Sequence, residues 1–119
     1  GESYFRKIES EITLAVLKKD NSVISLGGGA FINNLIRKNV KKLSISFWLD
    51  TPTNELVKRL KRNKKRPLLF GKNIDETIKK IYFERKKIYN KADHRIRCNY
   101  KESSEIAKKI INLYEKSKY

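Results

Sequence analysis

Cysteine, histidine and acidic side chains are all scarce in this chain. Its 119 residues include one Cys, one His and 13 Asp or Glu, against 29 Lys or Arg. A lone thiol, Cys98, cannot close an intrachain disulfide, which fits a reducing compartment such as the cytoplasm. With one His, one Cys and no clustered carboxylates, the sequence offers no credible zinc site. No apolar run approaches the roughly 20 residues that cross a bilayer, and no charged-then-apolar leader is visible. Neither a membrane protein nor an obvious secretory precursor is therefore expected. What remains is an apolar content of 39%, enough for one domain with one modest core.

The net charge of +16 raises the question of nucleic acid. Residues 1–50 carry 8 basic and 5 acidic groups, residues 51–119 carry 21 and 8, and seven of the nine residues from Lys58 to Arg66 are basic. Solvated surface, an anionic small-molecule site and a nucleic-acid face all fit such a run. No base-stacking aromatic pattern accompanies it, so nucleic acid ranks last.

Along the chain, Phe5, Ile8, Ile12 and Ala15/Val16 recur at helical spacing and predict a helix over 2–19, which Asp20-Asn21 ends. Ser22 to Leu26 reads as a first strand, 31–39 as a short helix and Leu43 to Leu49 as a second strand. Thr51-Pro52 starts a helix running to about Asn63. Lys64 to Asn73 has no period and contains Arg66-Pro67 and Gly71, the pattern of a mobile loop. Ile74, Ile78, Ile81 and Ile88 make the stripe of a helix over 74–89. His94 to Cys98 reads as a third strand, and 102–116 as a closing helix with Ile106, Ile110 and Leu113 inward. Strands alternating with helices predict an α/β layered fold with a parallel sheet.

Chemistry concentrates at four places. Gly27-Gly28-Gly29 directly follows the apolar run Val23-Ile24-Ser25-Leu26. Without Cβ atoms, such a turn brings bare backbone within hydrogen-bonding range of a ligand; a plain flexible turn is the alternative. Arg85 lies on the apolar stripe, four residues after Ile81 and three before Ile88. An inward guanidinium needs an anionic partner, either a ligand or a neighbouring acid such as Glu84 or Asp93. Arg6, with Glu9 one turn on to orient it, is a second candidate. Two fixed arginines converging on one pocket suit a planar carboxylate. Arg66 in the loop could stabilise charge on a transferred phosphoryl group, and Arg59 could stack on a purine face; solvation is the default for both.

In order, the chain reads Gly1-Glu2-Ser3-Tyr4-Phe5-Arg6, Ile24-Ser25-Leu26-Gly27-Gly28-Gly29-Ala30, Trp48-Leu49-Asp50, Arg66-Pro67-Leu68-Leu69, Glu84-Arg85-Lys86-Lys87-Ile88-Tyr89 and Ala92-Asp93. Each motif alone is weak, but the ordered set closely resembles the shikimate kinase family over essentially the whole chain. The resemblance implies a three-layer α/β/α fold with a parallel sheet, of the P-loop nucleoside-monophosphate-kinase-like type. It implies one domain over 1–119 with a lid at about 61–73. By the same resemblance, Arg6 and Arg85 grip the shikimate carboxylate, and Phe5 and Glu9 line that pocket. The backbone of Gly27, Gly28 and Gly29 meets the substrate hydroxyls, Arg66 reaches the ATP phosphates, and Arg59 packs on adenine. The implied reaction is ATP- and magnesium-dependent phosphorylation of the shikimate 3-hydroxyl, on the cytoplasmic route to chorismate and the aromatic amino acids. The implied partners are shikimate and ATP, with no nucleic acid and no membrane, in a monomer.

One departure from the family pattern is large. The sequence contains no G-x-x-x-x-G-K-[ST] stretch, the loop whose backbone N–H groups and lysine cradle the β- and γ-phosphates. A strand–helix–strand unit of roughly 30 or more residues is missing relative to the family, and the magnesium ligands are expected within it. Its first strand would lie between the strands at Val23–Leu26 and Leu43–Leu49, so unpaired backbone is expected there. The chain is expected to be a C-terminal portion, inactive by itself. A non-catalytic shikimate-binding fragment and another small-molecule kinase of the same superfamily are the alternatives.

Overall fold

The computed structural model describes residues 1–62, 73–99 and 102–118. Helix α1 (Glu2–Leu17) turns Thr13 and Leu17 into the core. The chain then leaves the helix through Asn21, whose φ of +53° is the left-handed conformation that Asn tolerates better than most residues. The expected first strand is not formed. Residues 22–27 pair with no strand and make no backbone hydrogen bond to another segment among the described residues. The side chains nevertheless alternate as in a strand: Ile24 and Leu26 are half-buried, Ser25 is exposed and Val23 is 103% exposed. The sequence pattern sets the alternation, but a ladder needs a second backbone, and none lies alongside. This matches the unpaired backbone expected at this place.

Beyond the glycines, the expected helix over 31–39 is divided. A short 3-10 turn (Ala30–Ile32) comes first, and helix α2 (Asn34–Leu43) follows. Asn33 forces the restart: its side-chain oxygen accepts from Leu35 N at 2.8 Å and Ile36 N at 3.1 Å, capping a new helix. Arg37 folds back and donates to the carbonyls of Phe31 (2.9 Å) and Ile32 (3.1 Å), fastening turn to helix. Because α2 runs through Leu43, the second expected strand begins later, as β1 (Phe47–Asp50). Helix α3 (Thr53–Arg62) starts behind Pro52, whose carbonyl accepts from Glu55 and Leu56. Helix α4 (Ile74–Tyr89), strand β2 (His94–Arg97) and helix α5 (Ser103–Lys118) complete the order.

β1 and β2 pair in parallel, with Trp48 opposite Arg95 and Asp50 opposite Arg97, the geometry that a crossover through helices permits. One core cluster gathers Leu17, Ala30, Phe31, Ile36 and Val40, with Ile24, Leu26, Ile88, Tyr89 and Ala92 packed against it. The cluster therefore joins α1, the glycine-bearing segment, α2 and the C-terminal turn of α4. No described helix is long and apolar enough to cross a membrane.

A second device seats α4 on the sheet. Asp50, at the end of β1 and only 6% exposed, accepts Arg95 Nε at 2.8 Å and Tyr82 Oη at 3.0 Å. The Arg95 guanidinium also lies over the Trp48 ring, 4.8 Å from its centroid. One carboxylate thus links β1, β2 and α4. Burial, and then the hydrogen bond to Asp50, push the Tyr82 phenol above its ordinary value of 10.0. The Arg95 guanidinium is raised as well, chiefly by its bond to Asp50. A raised phenol pKa means that stability is fully present below the ordinary value and lost as pH rises through the folded one. Tyr82→Phe should cost about 1.5 kcal/mol near neutrality, the scale of a hydrogen bond to a charged group. It should also flatten the loss of stability above pH 10. Denaturant melts of both proteins from pH 7 to 11 test this, and parallel curves would count against it.

Candidate functional site

The three glycines are the centre of the site because two helices close on them. α1 brings Arg6 and Glu9 from one side, and α4 brings Arg85 and Tyr89 from the other. The contacts are residue-specific. A Cβ on Gly27 would lie 3.2 Å from Glu9 Oε2, and one on Gly28 would lie 3.2 Å from Arg85 Nη1 and 3.6 Å from Tyr89 Oη. A Cβ on Gly29 would fall inside the Arg6 guanidinium, 2.6 Å from Cζ. Glycine here is a matter of space, since side chains from both helices fill the volume that a Cβ would need.

Arg6 is held on two sides. Its Nη1 donates to Glu9 Oε1 at 2.7 Å, and the guanidinium lies 5.2 Å from the centroid of the Phe5 ring. Glu2 adds a looser contact at 3.8 Å. Glu9 takes one arm of the fork, so the other donors stay available. Phe5 is half exposed, and with Glu9, Ile12, Ile24, Leu26 and Gly27 it lines a cavity of about 380 Å³ beside the turn.

Arg85 is half-buried, and among the described residues it has no ion pair. Of the two neighbouring acids that could have neutralised it, Glu84 makes no ion pair with it and Asp93 is used elsewhere. Asp93 Oδ2 accepts from Ser46 N at 2.9 Å and from Ser46 Oγ at 3.2 Å. Arg85 instead donates to Tyr89 Oη at 3.5 Å, and Tyr89 in turn donates to the Gly28 carbonyl in a short bond. Of the two explanations open from the sequence, an internal salt bridge has no support in these contacts.

The structure thus brings Arg6, Glu9, Gly27, Gly28, Gly29 and Arg85 together, with Phe5 at the rim. It does not do so for the remaining candidates. Arg59 sits on α3 and pairs with Glu55 one turn back, at 3.4 Å. Arg66 and most of the expected lid over 61–73 lie outside the described residues. Tyr89 is a member of the site that the sequence reading left out. Its signal was available, since a residue four beyond Arg85 on a helix shares Arg85's face. The Gly29 N–H has no hydrogen-bond partner among the described residues, so the turn offers a free donor between two guanidiniums. Chemically, the arrangement can take a small anion in paired N–H donors and hold adjacent hydroxyls on backbone groups.

Comparison with known proteins bears on the family and the fold. A family profile described as shikimate kinase matches residues 1–115. The shikimate kinase of Bartonella quintana (strain Toulouse) is 44% identical over 112 residues, covering 93% of this chain and 53% of that protein. The shikimate kinase of Thermodesulfovibrio yellowstonii is 38% identical over 116 residues, covering 98% of this chain and 67% of the relative. Among solved structures, the shikimate kinase from Acinetobacter baumannii in complex with shikimate superposes with a TM-score of 0.89 at 28% identity, over 99% of this chain and 66% of that one. The chain therefore spans about half the length of the Bartonella relative and about two thirds of the other two. With the profile covering nearly every residue and the fold matching closely, the chain belongs to the shikimate kinase family.

Proposed function

We propose that the glycine turn and its two arginines form the shikimate-binding half of a shikimate kinase. In this reading the whole enzyme transfers a phosphoryl group from ATP to the shikimate 3-hydroxyl, in the cytoplasm, on the route to chorismate. The observation that carries it is Arg85, a half-buried guanidinium with no carboxylate partner among the described residues, facing the same turn as Arg6. Glu9, with Glu2 more loosely, answers Arg6, while Arg85 has no carboxylate among the described residues and stands beside free backbone donors. A carboxylated ring with hydroxyl groups is complementary to that pattern.

The residues have separable roles. Glu9 fixes the Arg6 fork, Phe5 walls the pocket, and Arg85 supplies the second pair of donors for the carboxylate. Gly27, Gly28 and Gly29 let the ring's hydroxyls reach backbone N–H and C=O groups. ATP and magnesium are a different matter. Among the described residues no three His, Cys, Asp or Glu side chains gather to hold a metal ion, and the 119 residues contain no phosphate-loop sequence. These residues do not supply a phosphate cradle. Arg66 and Arg59 remain the chain's candidates for the nucleotide side. The same observation favours a second reading for these 119 residues by themselves, namely shikimate binding without turnover.

Isothermal titration of shikimate into the chain, paired with a turnover assay with ATP and magnesium, separates the two. Heat of binding without product assigns binding alone to these residues, and product formation assigns the full reaction. No binding at all would refute both. Arg85→Ala should weaken shikimate about a hundredfold, the effect of removing one partner of a desolvated charge pair. Unchanged affinity would remove Arg85 from the carboxylate. Gly29→Ala should act differently. The displaced Arg6 guanidinium is the free end of a flexible side chain, so the fold should lose less than about 1 kcal/mol. Affinity should nevertheless fall about tenfold or more as Arg6 leaves the turn. A large drop in melting temperature with no change in affinity would contradict that account.

A further inference from the structure

Tyr89 hydrogen-bonds both the turn and the Arg85 guanidinium. Its single hydroxyl proton goes to the Gly28 carbonyl, and its lone pairs receive Arg85 Nη1. A phenol has one donor, so the direction of this relay is fixed: Arg85 gives to Tyr89, and Tyr89 gives to Gly28. The ring cannot easily move, because it packs against Phe31 and Trp48 with centroids 6.4 and 6.0 Å away. Phe31 belongs to the buried core and Trp48 to strand β1, so the hydroxyl is tied to both the core and the sheet.

Resting on the reading of the turn as a shikimate site, we propose that Tyr89 is a positioning residue for it. It aims the Arg85 guanidinium and fixes the plane of the Gly28–Gly29 peptide in a single act. The physical reasons are two. An arginine side chain carries about 2 kcal/mol of rotamer entropy, and an unpaired guanidinium beside three glycines has little else to restrain it. Three consecutive glycines are also the most permissive backbone available. In a trans peptide the N–H points opposite to the C=O. Binding the Gly28 carbonyl therefore directs the unpartnered Gly29 N–H away from the phenol and holds it there before any ligand arrives. The two helices then present a site already formed, and the ligand need not order it on binding.

Tyr89→Phe keeps the ring and its packing while deleting the relay. Two measurements on the full chain test the role. The first is hydrogen exchange, without ligand, of the Ala30 and Ile32 amides, which donate to the Gly27 and Gly29 carbonyls at 3.0 and 3.3 Å. It should quicken about tenfold or more in the variant, while amides in the middle of α1 and α5 keep their rates. Unchanged exchange at these two amides would overturn the positioning role, whatever the ligand. The second is calorimetric titration with shikimate, in which affinity should fall about tenfold. Ile96→Val serves as a comparison: it trims a fully buried side chain on β2, outside the core cluster that carries the turn, and should lower the melting temperature without changing shikimate affinity by more than about twofold. If wild type binds shikimate and Tyr89→Phe binds it equally well, the positioning role is wrong. If wild type does not bind shikimate, the functional reading of the turn is wrong and the positioning role falls with it.

Discussion

Arg6 and Arg85 can serve one site because no Cβ stands between their guanidiniums and the backbone of residues 28 and 29. That absence is the constraint on which the rest of the arrangement depends. α1 and α4 are separated by nearly half of the chain, and each brings a long cationic side chain to the same few ångströms of backbone. Any residue but glycine at 29 would occupy the place of the Arg6 guanidinium, and a Cβ at 28 would crowd Arg85 at 3.2 Å. The turn is therefore shaped from outside, by what packs on it, rather than by the flexibility that three glycines would otherwise confer.

Holding α4 at that place is the work of contacts far from the turn. Asp50 ties Tyr82 to the end of β1 and Arg95 to its neighbour strand. Two turns further along α4, Tyr89 packs against Phe31 and Trp48. The helix is thus fixed at two points along its length, one polar and one aromatic, and Arg85 lies between them. A buried carboxylate with two donors is costly to disturb, because losing either partner leaves its charge less compensated in a place water reaches poorly. This link gives the sheet, reduced to two strands among the described residues, a direct mechanical part in the site.

How much of this was legible in the sequence follows from the range over which each interaction acts. α4 was readable to its ends, Ile74 and Tyr89, since an isoleucine stripe and flanking asparagines are local signals. The parallel pairing of β1 with β2 followed from the alternation of strand and helix. The stretch over 22–26 has a strand's alternation of burial yet pairs with nothing, because pairing depends on another backbone and not on its own residues. Asn33 was missed as a boundary: a helix restart after a 3-10 turn rests on one side-chain cap within an otherwise helical pattern. In the site, Arg6, Glu9, the glycines and Arg85 were legible through spacing and resemblance together. The place of Tyr89 beside Arg85 was legible from the four-residue spacing, but its bond to Gly28 was not, since that partner lies 61 residues away.

The charge around the turn carries the argument to its end. Arg6 and Arg85 are like charges serving adjacent glycines, and the nearest acid, Glu9, is bonded to Arg6 alone. Asp93, which could have relieved Arg85, is turned to Ser46 on the far side of the β2 entry. A fold under selection for stability alone would gain by giving Arg85 an acid of its own, because a half-buried cation without a partner is a cost. The cost makes sense if the partner arrives from outside. A carboxylate entering the turn would complete both forks at once and turn a local repulsion into two attractions, so the same feature that weakens the empty site strengthens the filled one. Tyr89 fits this economy. It accepts from Arg85 without neutralising it, so the guanidinium is aimed but its charge is left for the ligand.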